Sequence, residues 1–177
     1  MNRSKKTKQL VIAAVLCAVG IFIPMISPLK IVIEPASFTL ASHVAVFIAM
    51  LISPGVAAGV AVGTALGFLL GGFPITIVAR AASHLVFAFG GAVFLKKRPH
   101  ALDSSKKVIL FSFAVSIVHA ICEVGVVLPF YLGGQATNGI LYQVFVLVGV
   151  GTVVHSMIDF YLAYFIWRTL EKNVRIV

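Results

Sequence analysis

The stretch PITIVARAASHLVFAFGGAVFL, residues Pro74–Leu95, decides the fold. It is almost wholly apolar, and its length matches the roughly 20 residues that a helix needs to cross a bilayer. Arg80 lies inside it, with His84 one turn later on the same helix face. An ionisable side chain at that depth costs at least about 2.5 kcal/mol, so it normally faces a protein interior or a water-filled cavity. The stretch therefore predicts a membrane helix whose buried basic pair suits a negatively charged ligand.

The composition of the whole chain is that of a membrane protein. Its 177 residues are 60% hydrophobic and only 11% charged, with a mean hydropathy of +1.10. A water-soluble domain of this size needs a far more polar surface. We therefore predict a single all-α integral membrane domain over residues 1–177. The first apolar run, Leu10–Ile26, lacks a convincing cleavage site and is followed by further spans, so we expect it to remain as a helix.

Six apolar stretches are predicted to cross the membrane, joined by short loops. They are Gln9–Ile26, Phe38–Ile52, Gly55–Leu70, Pro74–Leu95, Val108–Leu132 and Ile140–Thr169. Turn residues separate neighbouring stretches at Ser53-Pro54 and at Gly71–Pro74. Between the first two stretches, Pro28–Ser37 contains two prolines and a β-branched run. That composition favours extended backbone over helix.

Small residues in the third stretch indicate close helix packing. Glycine recurs there at every fourth position, at Gly55, Gly59, Gly63, Gly67 and Gly71. Within lipid, helices associate mainly where small residues let their backbones approach. The glycine row therefore predicts a smooth groove for a neighbouring helix or for a ligand.

The basic residues indicate how the helices are oriented. Of the 14 Lys and Arg residues, all but Lys30 and Arg80 precede the first stretch, lie between the fourth and fifth, or lie at the end of the last stretch or after it. With six spans and a cytoplasmic N-terminus, these residues all face the cytoplasm, together with the C-terminus, as the positive-inside rule requires. The net charge of +9 is therefore explained by topology, and it does not indicate nucleic-acid binding. We expect a multi-pass protein of a bacterial plasma membrane.

Ionisable side chains recur at i,i+4 spacing on three predicted helices. The pairs are Arg80/His84, His119/Glu123 and His155/Asp159, and His43 adds a fourth helix. By their distance from the predicted helix ends, the groups of the outer half should converge between helices two, four and five. The candidate substrate-binding residues are Arg80, His84, His43, His119, Glu123 and, from an outward loop, Asn138.

Each of these residues also has a structural interpretation. Arg80 and Glu123 can neutralise each other as an ion pair, and His119 can pair with Glu123 on its own helix. His155 with Asp159 fits a structural role better than a functional one, because the pair lies deeper in the predicted helix.

Metal binding and catalysis are less favoured by the sequence. A zinc site needs three or four convergent ligands, whereas the chain has no His-x-His or Cys-x-x-Cys motif, and Arg80 would repel a cation. The sequence also has no nucleophile elbow and no Walker A motif. We therefore expect no metal, no cofactor and no enzymatic activity, including ATP hydrolysis, in this chain.

Several segments resemble one family of membrane proteins. They are Ala14-x-x-x-Ala18 in helix one, EPASFTLASH at Glu34–His43, GGFP at Gly71–Pro74 and RAASH at Arg80–His84. On six short-looped spans with a basic N-terminus, these segments resemble the substrate-binding S component of an energy-coupling factor (ECF) vitamin transporter. The niacin type is the most similar.

The resemblance implies a substrate, partners and roles for several residues. Such a protein binds a B vitamin near the outer face and delivers it with a membrane coupling subunit and two cytoplasmic ATPases. Ala14 and Ala18 would contact the coupling subunit, and the loop with Lys30, Glu34 and Pro35 would be the gate. Niacin is the expected vitamin, with pantothenate as an alternative because it also presents a carboxylate. A proton-coupled secondary transporter and an intramembrane enzyme are the other interpretations.

Overall fold

A computed structural model describes residues 3–33, 36–132, 139 and 142–173. Within these residues the chain forms α1 Arg3–Ile26, β1 Lys30–Ile33, β2 Ala36–Thr39, α2 Val44–Ile52, α3 Pro54–Leu70, α4 Ile75–Lys97, α5 Ser105–Leu132 and α6 Gly151–Asn173. A π-helical segment, Tyr142–Val150, leads directly into α6. The predicted all-α membrane architecture fits this element order.

Four of the described helices are long and apolar enough to cross a membrane. They are α1, α4, α5 and the continuous π-helical and α-helical stretch Tyr142–Glu171. The other two are shorter, since α3 has 17 residues and α2 has 9. At 1.5 Å per residue α2 rises only about 14 Å, less than half of a hydrocarbon core of about 30 Å. Helix length therefore supports four crossings, and six crossings stay a prediction.

The predicted start of the second helix is wrong. We expected a helix from Phe38, but Phe38 and Thr39 belong to β2 and the helix begins at Val44. The apolar character of this stretch suits a helix, but contacts from elsewhere in the chain give it another conformation.

The cause is a carboxylate on α6. The two oxygens of Asp159 accept the backbone N–H of Ala41 at 2.8 Å and the backbone N–H of His43 at 2.9 Å. Ala41 has a φ of 69°, which an L-residue rarely adopts. The first N–H groups of a helix have no partner inside the helix and favour a nearby negative charge. Asp159 thus fixes both the turn and the point where α2 begins.

The segment between α1 and α2 is an antiparallel hairpin. Lys30 of β1 pairs with Thr39 of β2, so the extended backbone expected in this region is present. Phe38 of β2 packs on the start of α6, where its ring centroid lies 5.4 Å from that of His155. A Cβ atom at Gly151 would approach the Phe38 ring to 2.6 Å, so glycine is needed there for the strand to dock.

α1 is held against α3 by the glycine row. A Cβ atom at Gly63 would lie 2.6 Å from Cys17 Sγ, and one at Gly67 would overlap the side chain of Ile21. At Gly59 nothing lies within 4 Å. Part of the row therefore lets α1 approach α3 closely, as the glycine spacing predicts.

α2 is the buried centre of the bundle. Each residue from Val44 to Met50 is buried, and α2 packs against α1, α3, α4 and α6. The fully buried rings of Phe47, Phe87 and Phe160 form the aromatic part of the core, with Phe47 5.4 Å from each of the other two. His43 directly precedes α2, so its side chain lies where the apolar core gives way to polar residues.

Replacement of Gly67 by alanine should destabilise the protein. The added methyl group must displace Ile21, and overpacking of this kind costs about 1–3 kcal/mol. Gly59→Ala is the matched control, because open space lies beside it and alanine favours the helix. Thermal unfolding in detergent measures both variants. Equal melting temperatures for the two would contradict the packing of α1 on α3.

Candidate functional site

The ionisable side chains of four helices meet in one buried group, which we call the polar cluster. Its members are His43, Arg80, His84, His119, Glu123, His155 and Asp159. They come from the start of α2 and from α4, α5 and α6, and all are buried except His84, whose side chain is 12% exposed. The i,i+4 pairs of the sequence thus converge.

Glu123 lies at the centre of one half of the polar cluster. Its Oε2 accepts hydrogen bonds from Arg80 Nη2 at 2.9 Å and from Thr152 Oγ1 at 2.6 Å. Its Oε1 faces His119 Nε2 at 3.4 Å and His84 Nε2 at 3.6 Å. Breaking a buried ion pair by removing one partner costs about 3–5 kcal/mol. Loss of either Arg80 or Glu123 would therefore leave an uncompensated charge between α4 and α5.

Asp159 organises the other half. Besides the two backbone N–H groups, its Oδ2 lies 3.1 Å from His43 Nδ1 and 3.3 Å from His155 Nε2. Ser42 Oγ lies 3.2 Å from His43 Nδ1 and 3.1 Å from His155 Nε2. These contacts agree with a structural role for His155 and Asp159, which position His43.

The rings of His43, His84 and His119 pack edge to face. Their centroids are 4.7 to 4.8 Å apart in all three pairs. Phe87 covers the apolar side of this group, with its centroid 4.3 Å from that of His119 and 5.5 Å from that of His84. The imidazole nitrogens are thus concentrated in a small space with an aromatic floor.

Three nitrogen atoms of the polar cluster have no hydrogen bond in the described part of the chain. They are Arg80 Nε, His84 Nε2 and His119 Nε2, all buried. A buried polar atom without a partner costs about 1–3 kcal/mol. Unpaired polar atoms concentrated at one place suit a site that receives a ligand.

A small cavity of about 70 Å³ adjoins the cluster. Its polar wall includes His43, Arg80, His84 and Glu123. Gly20 and Pro24 of α1 form another side, and the β2 residues Ser37 and Thr39 also line it. The volume exceeds the roughly 10–15 Å³ that a single water needs. The cavity suits a small polar ligand enclosed by the hairpin and five helices.

A larger groove between α4 and α5 has a different character. It measures about 920 Å³, and exposed apolar residues such as Val86, Leu110 and Val118 line it. A wide apolar surface on the outside of a membrane helix pair suits acyl chains. We therefore place the candidate substrate site in the small cavity.

The other predicted site residues are not members of the polar cluster as described. Asn138, Glu34 and Pro35 are outside the described residues. Lys30 is exposed on β1, where it pairs with Thr39. Ala14 and Ala18 are exposed on α1, whereas Cys17 of the same helix faces α3.

The hydroxyl groups that hold the polar cluster were not predicted from the sequence. Thr152 binds Glu123, and Ser156 Oγ lies 3.1 Å from His119 Nδ1. Both are fully buried on α6. Together with Asp159 they form a polar stripe at i, i+4 and i+7, and this spacing is the signal that was available.

The chain is similar in sequence to a curated transporter. It is 46% identical to the niacin transporter NiaX of Lactococcus lactis subsp. cremoris (strain MG1363), over an alignment that covers 97% of this chain and 79% of the relative. No family model matches the chain, and no solved structure matches it significantly. The similarity thus extends over nearly the whole chain and includes the helices that form the polar cluster.

Asp159→Ala should lower the melting temperature clearly. The change leaves the backbone N–H groups of Ala41 and His43 without their acceptor, and each lost buried bond costs about 1–3 kcal/mol. Asp103→Ala is the control, because Asp103 forms only an exposed pair with His100, worth at most about 1 kcal/mol. Thermal unfolding in detergent compares the variants. A loss no larger than that of the control would show that Asp159 does not hold the start of α2.

Proposed function

Because this chain belongs to the family of niacin-type S components of ECF vitamin transporters, we propose that it binds nicotinate in the cavity beside Arg80 and passes it inward with an ATP-driven partner. The family membership makes it a multi-pass membrane transporter for niacin uptake. The partner in this proposal is a membrane coupling subunit with two cytoplasmic ATPases.

The position of Arg80 in the cavity wall is the main support for an acidic substrate. Its guanidinium lines the cavity, and its Nε has no hydrogen bond in the described residues. Glu123 takes one contact at Nη2, so Nε–H and further N–H groups of the guanidinium are left for a ligand. These N–H groups can match a carboxylate bidentately. The nicotinate carboxylate therefore has a partner in the cavity wall.

The small size of the cavity favours a single-ring acid over a longer one. Its volume of about 70 Å³ is below the roughly 150 Å³ of a cavity that holds a benzene ring, so the hairpin must move outward to admit a pyridine carboxylate and further to admit pantothenate. The imidazoles of His43 and His84 line the same wall and offer both ring faces and nitrogen atoms to a pyridine ring. The geometry thus supports niacin above the alternative acidic vitamin.

The hairpin is the proposed gate. Ser37 and Thr39 of β2 line the cavity, so the hairpin must move for a ligand to pass on that side. Lys30, Glu34 and Pro35 belong to this proposed gate. Lys30 pairs with Thr39 at the base of the hairpin, whereas Glu34 and Pro35 follow β1 in the sequence. Asp159 holds the turn after β2, which makes the end of the hairpin near Ala41 the fixed one.

α1 offers the surface proposed for the coupling subunit. Ala14 and Ala18 are exposed on it, and only 6% of its membrane segment is buried within this chain. Small residues permit close helix approach in lipid. The exposed alanine face is therefore suited to a partner helix.

One observation favours a second candidate function, proton-coupled transport. Glu123 with two histidines and Asp159 with two others form two neighbouring groups of titratable side chains, which meet where the ring of His43 packs against those of His84 and His119. Series of such side chains relay protons in membrane transporters. This function predicts uptake driven by a pH gradient in vesicles that contain the chain alone, whereas the ECF proposal predicts none.

Arg80→Lys should weaken nicotinate binding at least tenfold. Lysine keeps the charge and can still pair with Glu123, but it cannot form the two parallel hydrogen bonds. Losing a hydrogen bond to a charged group costs about 1.5–3 kcal/mol. Calorimetry on the purified protein in detergent measures the affinity for nicotinate. Nicotinamide is the control ligand, because it lacks the carboxylate. Arg98→Lys, at an exposed position, is the control. Unchanged nicotinate affinity in a folded Arg80→Lys protein would show that the substrate carboxylate does not bind at Arg80.

Ala14→Phe should abolish uptake and leave nicotinate binding intact. The large ring prevents close approach of a partner helix, but Ala14 is exposed and remote from the cavity wall. Ala114→Phe, also exposed but on α5, is the matched control. Uptake of labelled nicotinate is measured in cells that co-express the coupling subunit and ATPases. Normal uptake by the Ala14 variant would mean that the coupling surface is not on this face of α1.

A further inference from the structure

Four side chains of the polar cluster have the composition of a transition-metal site. The donor atoms of His43, His84, His119 and Glu123 all lie within 4.8 Å of one another. Three imidazoles with a carboxylate or a water as the fourth ligand are a common donor set for Zn²⁺. From this arrangement we propose that the chain binds a divalent transition-metal ion of the zinc type at these four residues.

The distances around Glu123 Oε1 fit shared coordination better than hydrogen bonding. This oxygen lies 3.4 Å from His119 Nε2 and 3.6 Å from His84 Nε2, and neither nitrogen has a hydrogen bond in the described residues. A good N–H···O bond would be about 2.9 Å. Two ligands about 2.05 Å from one tetrahedral ion are about 3.4 Å apart. The unpaired nitrogens and the carboxylate are spaced as neighbours in one coordination shell.

Polar groups beside two of the histidines can hold their rings in the orientation that metal binding needs. A histidine that binds a metal through one nitrogen usually directs the other at a carboxylate or another polar group. His43 Nδ1 lies 3.1 Å from Asp159 Oδ2, and His119 Nδ1 lies 3.1 Å from Ser156 Oγ. Both rings therefore have Nδ1 engaged, which leaves Nε2 as the nitrogen for an ion.

Arg80 does not stand between the ion and its ligands. Its Nη2 binds Glu123 Oε2, whereas the histidine nitrogens face Oε1 of the same carboxylate. Glu123 thus separates the guanidinium from the proposed ion. Arg80 balances one of the two carboxylates of Glu123 and Asp159, which leaves a negative charge. A cation reduces this charge in a medium where unbalanced charge is costly.

The cavity beside these residues brings a bound molecule close to the proposed ion. His43, His84 and Glu123 line the cavity as well as the proposed metal site. A pyridine nitrogen or a carboxylate oxygen could then join the four residues as a fifth ligand or replace one of them. This last step, in which nicotinate contacts the ion, rests on the proposed function. The metal site itself does not.

Cobalt binding tests the site directly. The full-length protein in detergent is treated with a chelator and titrated with Co²⁺, whose visible absorption reports tetrahedral coordination. We expect one equivalent of Co²⁺ that Zn²⁺ displaces. His119→Gln should abolish the signal, while His100→Gln, which changes an exposed histidine, should keep it. Because no vitamin is present, the result is independent of whether nicotinate is the substrate.

A second variant covers the case in which His119→Gln fails to fold. Ser156→Ala leaves every ligand in place and should weaken Co²⁺ binding by about tenfold or more, as loss of an outer-shell partner does. Absence of stoichiometric Co²⁺ or Zn²⁺ binding to the folded wild type would overturn the proposal. So would loss of binding in His155→Gln with retention in His119→Gln, since the ion would then lie in the neighbouring group of His43, His155 and Asp159.

Discussion

The ion pair between Arg80 and Glu123 is the contact on which the polar cluster depends. A charge at this depth must be paired or hydrogen-bonded, and Glu123 meets that requirement for α4, α5 and α6 together through Arg80 and Thr152. Its second oxygen is left to face His84 and His119. One carboxylate therefore both joins three helices and orients the donors that surround the cavity.

A second carboxylate explains why α2 is so short. Asp159 fixes the point at which α2 begins. The residues before this point therefore do not extend the helix, and they form the β-hairpin instead. The side chains after this point, from Val44 to Met50, are buried and apolar. The boundary between core and site is thus set by where a helix begins, and a longer second helix would fill the space of the cavity.

The sequence was sufficient for the helices and for much of the site because both depend on local spacing. Apolar length predicted the long helices, and i,i+4 pairs predicted that Arg80, His119 and Glu123 share the interior. The start of α2 could not be predicted, because a contact from Asp159, over a hundred residues later, decides it. Thr152 and Ser156 were missed because hydroxyl groups are common in membrane helices. His43, His84 and His119 were predicted as site residues, but the close packing of their rings was not, because the residues come from three separate parts of the chain and no short motif marks them.

The exposed position of α1 has a mechanical consequence. This helix carries Ala14 and Ala18 on its outer face, and its Gly20 and Pro24 line one side of the cavity. It rests on α3 largely through small residues, which resist sliding less than interlocked bulky side chains do. A protein bound to the alanine face would therefore contact a helix that also lines the cavity. A displacement of α1 would then both accompany partner binding and open the cavity for release of the ligand.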